Sequence, residues 1–337
     1  MSFLQNFGIC TLGLSLFVAC SPVLGPRPQN TLTLLSWNVQ NLFDDLADGG
    51  EYPEFVPGPS WGQGDFLARC QKISKVIRAL PSPGADLLAF QEIENEHVLQ
   101  VLRDRFFLGL GYRWSAITPG AGIHSILLSR YPLTQVGAFS PSWKGQPGRP
   151  LLEALVTTPA GPVVLLVNHW KSRLPNPEET EDEREESAKL LNQRLMVWQQ
   201  QTPLPLIVAV GDFNTGFHEE PSRSWQAAKN PGVDRPQSWL SVWDKDSSAL
   251  QAGWGWSEVW DSSWSGSYYW HGQWSRLDHV LIASCSLRSS IIGQAEAGPF
   301  TTSIQLTGQG TPRPWSVRDR KGVSDHLPLY LRLTLTR

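Results

Sequence analysis

The sequence predicts one α/β domain of sandwich type, and three observations point there. Short apolar, β-rich runs recur along the whole chain, and segments with helical spacing lie between them. No mid-chain linker of the kind that separates domains interrupts the pattern. Several of the strand-like runs end in Asn, Asp, Glu or His, where open α/β architectures gather their ligand groups.

The elements follow in order. Thr31 to Trp37 (TLTLLSW) reads as a strand, and Phe66 to Leu80 (FLARCQKISKVIRAL) as a helix stopped by the Pro-Ser-Pro-Gly behind it. Asp86 to Phe90 is a short, nearly continuous apolar run, as expected of a buried strand. Residues 125–129, 151–157, 163–168, 206–210, 277–282 and 328–335 have the same character, with helices near 94–107 and 184–200 between them. The acidic run 178–186 (EETEDEREE) reads as a solvated loop and first helical turn, where carboxylates oppose the positive end of the helix dipole.

Composition bounds the possibilities. At 337 residues, 41% hydrophobic and 10% aromatic, the chain has ample material for a core, which excludes a disordered or fibrous protein. Twenty-eight Lys and Arg against 31 Asp and Glu give a net charge of -3. That excludes a highly basic nucleic-acid coat protein, but not a nuclease acting through a local patch.

Residues 8–20 (GICTLGLSLFVAC) form an apolar run too short to span a bilayer, followed by a Pro-rich tether. The organisation expected is a signal peptide over 1–19, a tether over 20–30 and one catalytic domain over 31–337. Phe17-Val18-Ala19-Cys20 resembles a bacterial lipobox, which implies lipidation of Cys20 and an exported protein, tethered to the cell envelope or secreted. A plain secretory signal or a buried strand are the alternatives. Of the later cysteines, Cys70 and Cys285 either pair or are two small buried side chains, and no Cys/His spacing suggests zinc.

Five polar clusters follow strand-like runs: Trp37-Asn38-Val39-Gln40-Asn41, Gln91-Glu92-Ile93-Glu94-Asn95, Asn168-His169-Trp170-Lys171-Ser172, Gly211-Asp212-Phe213-Asn214-Thr215 and Ser324-Asp325-His326-Leu327-Pro328. A sixth, Arg276-Leu277-Asp278-His279, opens a strand. Taken singly each has a plain reading: Asn38 as a turn residue, Asp212-Phe213-Asn214 as an Asx-turn, His169 or His326 as an ordinary half-buried imidazole. Jointly they point to one crevice. His279 is set aside, because strand alternation directs it away from Asp278.

With WN, QE, GDFN, LDH and SDHLP in this order, the chain resembles the endonuclease/exonuclease/phosphatase superfamily of deoxyribonuclease I-like metal-dependent phosphodiesterases. The strings FDDLADGGEYPEF, LLAFQEIEN, VNHWKSR and YYWHGQWSRLDHVLIA look like its bacterial extracellular and envelope branch. The resemblance implies a four-layered α/β sandwich, with two central, mostly antiparallel sheets flanked by helices. It implies Mg²⁺, with Mn²⁺ as the alternative, held by Glu92 with Asn38 and Asp325. Asp212 would orient or deprotonate the attacking water, and Asn214 would hold that aspartate or a phosphate oxygen. His326, aligned by Asp278, would donate to the phosphoryl or leaving oxygen, and His169 would act from the opposite side. Arg149, Lys171 and Asn41 are secondary candidates for phosphate contact.

The expected function is an envelope-tethered or secreted nuclease, with nucleic acid as substrate, a membrane met through the lipid anchor and no protein partner. A lipid-directed phosphodiesterase or phosphatase of sphingomyelinase or phosphoinositide type is the alternative. A non-catalytic surface lipoprotein on the same scaffold is the rival from another class. Asp44, Asp45 and Asp48 read as a Gly-rich surface loop rather than a second acidic patch. Six tryptophans fall between 254 and 274, as a base-stacking wall, a lipid-dipping hairpin or a loop packed on the core, the last favoured.

Overall fold

The computed structural model describes residues 29–216, 225–227, 240–244, 255–259, 263–289 and 291–336. The expected signal peptide, Cys20, most of the tether, Trp254 and Trp260 lie outside the described residues. In chain order the first half carries β1 (Thr31–Leu42), α1 (Gln63–Arg78), β2 (Leu87–Ile93), α2 (Glu96–Val101), β3 (Trp114–Ile117), β4 (His124–Ser129) and β5 (Leu133–Phe139). A two-residue ribbon, β6 (Ser142–Trp143) and β7 (Gln146–Pro147), precedes β8 (Leu151–Thr158), β9 (Gly161–His169), α3 (Pro177–Trp198) and β10 (Leu206–Asp212). Then come β11 (Trp225–Ala227), β12 (Leu240–Asp244), β13 (Trp256–Glu258), β14 (Tyr268–Trp270), β15 (Gln273–Ser275), β16 (Asp278–Ala283), α4 (Ser284–Arg288), β17 (Ile292–Pro299) and β18 (Leu329–Leu335).

Two mixed sheets form the centre, ordered β17-β18-β1-β2-β4-β3 and β11-β12-β13-β16-β10-β9-β8-β5. Antiparallel pairs predominate, with β1–β2, β9–β10, β11–β12 and β12–β13 parallel. Three apolar clusters give the layers. Leu34, Ala89, Leu165 and Val208 pack between the sheets. Phe66, Ile73 and Ile77 of α1 and Leu99 of α2 cover the outer face of the first sheet. Ala188, Leu191 and Leu195 of α3 cover Ile207 and Ala209 on the second. The order is helix, sheet, sheet, helix, as expected. Cys70 and Cys285 are both free, so the unpaired alternative holds.

Strand alternation carries the inter-sheet layer straight into the polar clusters. On β9 the inward series is Val163, Leu165, Val167, and His169 is next. On β10 it is Leu206, Val208, Val210, then Asp212; on β16 it is Ile282, Val280, then Asp278. On β1, Leu32 and Leu34 are followed by Ser36 and Asn38. His279, one residue out of phase, is fully buried on the other face against Glu258 and the Thr215 carbonyl.

One element departs from the expectation. Helix α3 starts at Pro177, capped by the Asn176 side chain, so the acidic run 178–186 is helical throughout. Only Glu178 and Glu179 lie in the first turn. Glu181 turns inward and pairs with the buried Arg184 at 2.8 Å, which also donates to the carbonyls of Pro177 and Lys171.

Arg69 sits in the apolar stripe of α1, 1% exposed. Its guanidinium donates to the carbonyls of Val39, Gln40 and Asn41 at 2.8, 2.6 and 2.7 Å. Gln40 and Asn41 have left-handed backbone (φ 58° and 47°), so their carbonyls cannot join the sheet ladder regularly. Arg69→Met is expected to cost about 3 kcal/mol, because several buried acceptors lose a charged donor. Equilibrium urea unfolding checks this, with a loss under about 1 kcal/mol as the contrary result.

Candidate active site

At the edge where the inter-sheet layer turns polar, β9, β10 and β16 present one row. Asp212 is in register with His169 on one side and Asp278 on the other. Gly211, just before it, has φ 132°, and a Cβ there would lie 1.9 Å from the Asn168 carbonyl oxygen. Only glycine lets β10 approach β9 this closely at that point.

The first sheet supplies the facing groups. The Asn38 amide donates to Glu92 Oε1 and to Asp212 Oδ2, each at 3.0 Å, and so ties the two sheets together. The Asn41 backbone N–H donates to Glu92 Oε2 at 2.7 Å. Alternation after Phe90 would send Glu92 toward the helices. Its φ of 65° and a bulge between Phe90 and Ile93 turn it to the inter-sheet edge instead. Of eight non-glycine residues with positive φ among those described, Gln40, Asn41, Glu92 and Asn214 belong to this one site.

Two imidazoles flank Asp212, each with Nε2 4.0 Å from its Oδ2. His326 Nδ1 lies 2.7 Å from Asp278 Oδ2, and that oxygen also accepts from the Ser267 hydroxyl at 2.6 Å. The Tyr268 ring lies over the His326 ring at 4.7 Å between centroids. The Ser324 hydroxyl donates to the Asn38 carbonyl, and the Trp37 indole to the His326 carbonyl. His169 has a different partner: Arg149 Nη1 donates to its Nε2 at 2.6 Å and to the Trp170 carbonyl at 2.9 Å. Arginine only donates, so His169 Nε2 accepts and the ring is neutral with its proton on Nδ1.

Electrostatics follow from these partners. Burial pushes the Asp212 carboxyl up to about 7; His326 opposes the rise and Asp278 adds to it. Burial likewise raises Asp325 to about 6, with His326 opposing and Glu92 adding. For His326, burial favours the neutral ring, yet Asp278, Asp212 and Asp325 together hold it well above its ordinary value. Burial holds His169 well below its ordinary value, and the Arg149 and His326 charges reinforce this.

The structure therefore brings together Asn38, Asn41, Glu92, Arg149, His169, Asp212, Asp278 and His326. Oxygen or nitrogen atoms of Glu92, His169 and Asp212 lie within 4.8 Å of one another. Two carboxylates, with Asn38 beside them and the Asp325 charge close by, are a donor set that fits a hard divalent cation. Asp325 is not in that tight group.

Asn214 differs from the expectation in part. Its backbone N–H, not its side chain, holds Asp212 Oδ1 at 2.8 Å, and its amide donates to the Trp170 carbonyl at 3.1 Å. Lys171 reaches Glu183 on α3 at 3.8 Å, drawn there by the acidic helix face. Arg69, Ser267 and Tyr268 escaped the sequence reading. Arg69 alone left a signal, as a charge on an otherwise apolar helix stripe.

The Trp-rich segment divides. Trp256 is fully buried and packs with α3, as the core-packing reading expects. Trp264 and Trp270 are 40% and 62% exposed, so that reading fails for them. A recess of about 230 Å³ beside Leu327 is lined by Trp264, Gly266, Trp274 and Leu306.

Because the folded carboxyl of Asp212 titrates near 7 and an unfolded one near 3.8, the native state holds the extra proton between those values. The metal-free protein is thus expected to lose stability as pH rises through that window. Asp212→Asn removes the burden, so in EDTA at pH 8 it should melt about 3 °C above wild type, and the gap should close toward pH 4. Calorimetric melts across the range check this; a variant less stable at pH 8 is the contrary result. In the same manner, Arg149→Ala is expected to raise the His169 titration midpoint, read by NMR of the imidazole.

Among curated proteins, none matches the sequence. Solved structures do match in fold. Danio rerio TDP2 complexed with single strand DNA product aligns at TM-score 0.53 and 15% identity, over 90% of this chain and 98% of that one. Beta toxin 275-280 from Staphylococcus aureus aligns at 0.56 and 14%, over 89% and 99%. A family protein from Bacteroides thetaiotaomicron aligns at 0.53 and 16%, over 92% and 100%. The pattern of the Endonuclease/Exonuclease/phosphatase family matches residues 35–326, and with the fold and the edge site in agreement, the chain belongs to that family of hydrolases.

Proposed function

We propose that the chain is a divalent-cation-dependent phosphodiesterase that cuts nucleic acid. The observation that carries the reading is Asp212, flanked by a cationic and a neutral imidazole and tied through Asn38 to Glu92. Glu92, with Asn38 and Asp325, would hold Mg²⁺ or Mn²⁺, which supplies charge neutralisation for the phosphate. Asp212, titrating near working pH, accepts the proton of the attacking water. Asp278 accepts the His326 Nδ1–H and holds the ring cationic, which leaves Nε2–H to donate to a phosphoryl or leaving oxygen. The Arg149 guanidinium beside His169 offers further donors to the phosphate, while Asn214 and Trp170 hold Asp212 in place through the backbone.

Nucleic acid is favoured by the exposed indoles of Trp264 and Trp270 and the recess that Trp264 and Trp274 line beside Leu327, which suit base stacking. The likeness to a TDP2 holding single strand DNA product supports the same reading. The exposed tip of the β14–β15 hairpin gives the second reading, a lipid phosphodiester met at a membrane surface. Export and an envelope tether rest on residues 8–20, whose Cys20 would carry the lipid. Loss of membrane fractionation in Cys20→Ala tests that.

Wild type and the His326→Ala and Asp212→Asn variants, all lacking residues 1–20, are compared on supercoiled plasmid, RNA, sphingomyelin and phosphoinositide with Mg²⁺, Mn²⁺ or EDTA. The expected result is Mg²⁺-dependent plasmid or RNA cleavage, reduced about 10³-fold or more in each variant. His326→Ala should still melt cooperatively within a few degrees of wild type. Lipid turnover with plasmid and RNA intact would establish the second reading. Silence on all four would refute the enzyme reading for these substrates.

A further inference from the structure

A second group of carboxylates lies outside the reaction centre, on the loops that follow β1 and β2. Oxygens of Asp48, Glu51 and Glu94 come within 4.8 Å of one another. Asp44 joins them: its backbone N–H donates to Glu94 Oε2 at 2.6 Å, and its Oδ2 accepts from Asn95 Nδ2 at 2.9 Å. The Asn95 amide also reaches Asp48 Oδ2 at 3.3 Å. An acidic cluster of this kind is common on protein surfaces and would by itself mean little.

The buried oxygen of Glu94 makes the difference. Glu94 is 4% exposed, and its Oε1 is shut off from solvent with no hydrogen-bond donor. The charged side chains that bear on it are Asp44, Asp48 and Glu51, all acidic. Burial pushes the Glu94 carboxyl up to about 8, and a buried carboxylate whose charged neighbours are all acidic is costly unless it takes up a proton or a cation. We infer that Asp48, Glu51 and Glu94, with Asp44 behind them, form a second cation site that takes Ca²⁺.

The choice of ion follows from the donors. Ca²⁺ accepts six to eight oxygens at about 2.3–2.6 Å, so two ligands of one ion stand no more than about 5 Å apart. The observed spread meets that limit. The ligands come from a Gly-rich turn, Asp48-Gly49-Gly50-Glu51, and from the residue after β2. Mg²⁺ demands a tighter octahedron than such loops impose. The site braces two loops that leave the strands carrying Asn38 and Glu92. Trp61 closes its rear wall, donating its indole N–H to the Asp44 carbonyl at 2.6 Å. Asp48 is exposed and Glu51 half-buried, so both can be substituted without touching the core.

Calcium is titrated calorimetrically into the full chain carrying Glu92→Gln, Asp212→Asn and Asp325→Asn, which removes the carboxylates that would hold a cation at the reaction centre. One Ca²⁺ per chain is expected, and a melting temperature about 5 °C higher at saturating Ca²⁺. Adding Asp48→Asn with Glu51→Gln should abolish both responses, and Asp48→Asn alone should weaken binding about tenfold or more. Absence of any Ca²⁺ response in the parent overturns the site, as does a response that survives both substitutions. An equal response to Mg²⁺ overturns the choice of calcium.

Discussion

The structure turns on a carboxylate placed where water has been removed. Asp212 is the last inward residue of β10, directly after Leu206, Val208 and Val210 in the apolar layer between the sheets. At 2% exposure its charge cannot be solvated, so every neighbouring group has to compensate it or share it. The Asn38 amide, the Asn214 backbone N–H and the His326 imidazolium do so from three directions, and each comes from a different strand end. The sandwich, with its two sheets closed tightly over one another, is what brings these ends within reach.

That closure has a local cost, borne by the backbone. Glu92 can face Asp212 only by leaving the strand alternation, and Asn38 can bridge them only while β1 kinks at Gln40 and Asn41. Arg69 stabilises the kink from the helix side by taking three carbonyls at once. Rigid support from α1 therefore reaches the site through the main chain. Strain at a site persists only where the surroundings over-determine it. Here the fully buried Trp37 and Phe90 packed edge to face beside the kink, together with Arg69, supply that over-determination.

The same geometry explains what could be read in advance. Strand runs and their polar ends were legible because a two-residue period and a burial requirement write both into the order of residues. Asn38, His169, Asp212 and Asp278 obey that period, and His279 was set aside by it correctly. Glu92 does not obey it, and its position was legible only through resemblance. The early start of α3 was missed because seven carboxylates outweighed the Asn176-Pro177 start signal. Ser267 and Tyr268 were hidden for another reason. Ser267 reaches Asp278 across the β14–β15 hairpin and Tyr268 meets His326 of the distant segment before β18, contacts that no local pattern encodes.

The two histidines show how much of the chemistry is set by the partner rather than by the residue. Both present Nε2 at 4.0 Å from the same Asp212 oxygen, and both are buried. Asp278 on Nδ1 makes His326 a cation with its Nε2–H free to donate, whereas Arg149 on Nε2 makes His169 a neutral acceptor. Two imidazolium ions on one carboxylate would repel each other, and two neutral rings would leave Asp212 without a counter-charge. Placing a carboxylate behind one ring and a guanidinium in front of the other settles both problems at once. It leaves the edge of the sandwich with an imidazolium, a buried carboxylate and a guanidinium in separate positions, so that charge of both signs is held there without any two like charges in contact.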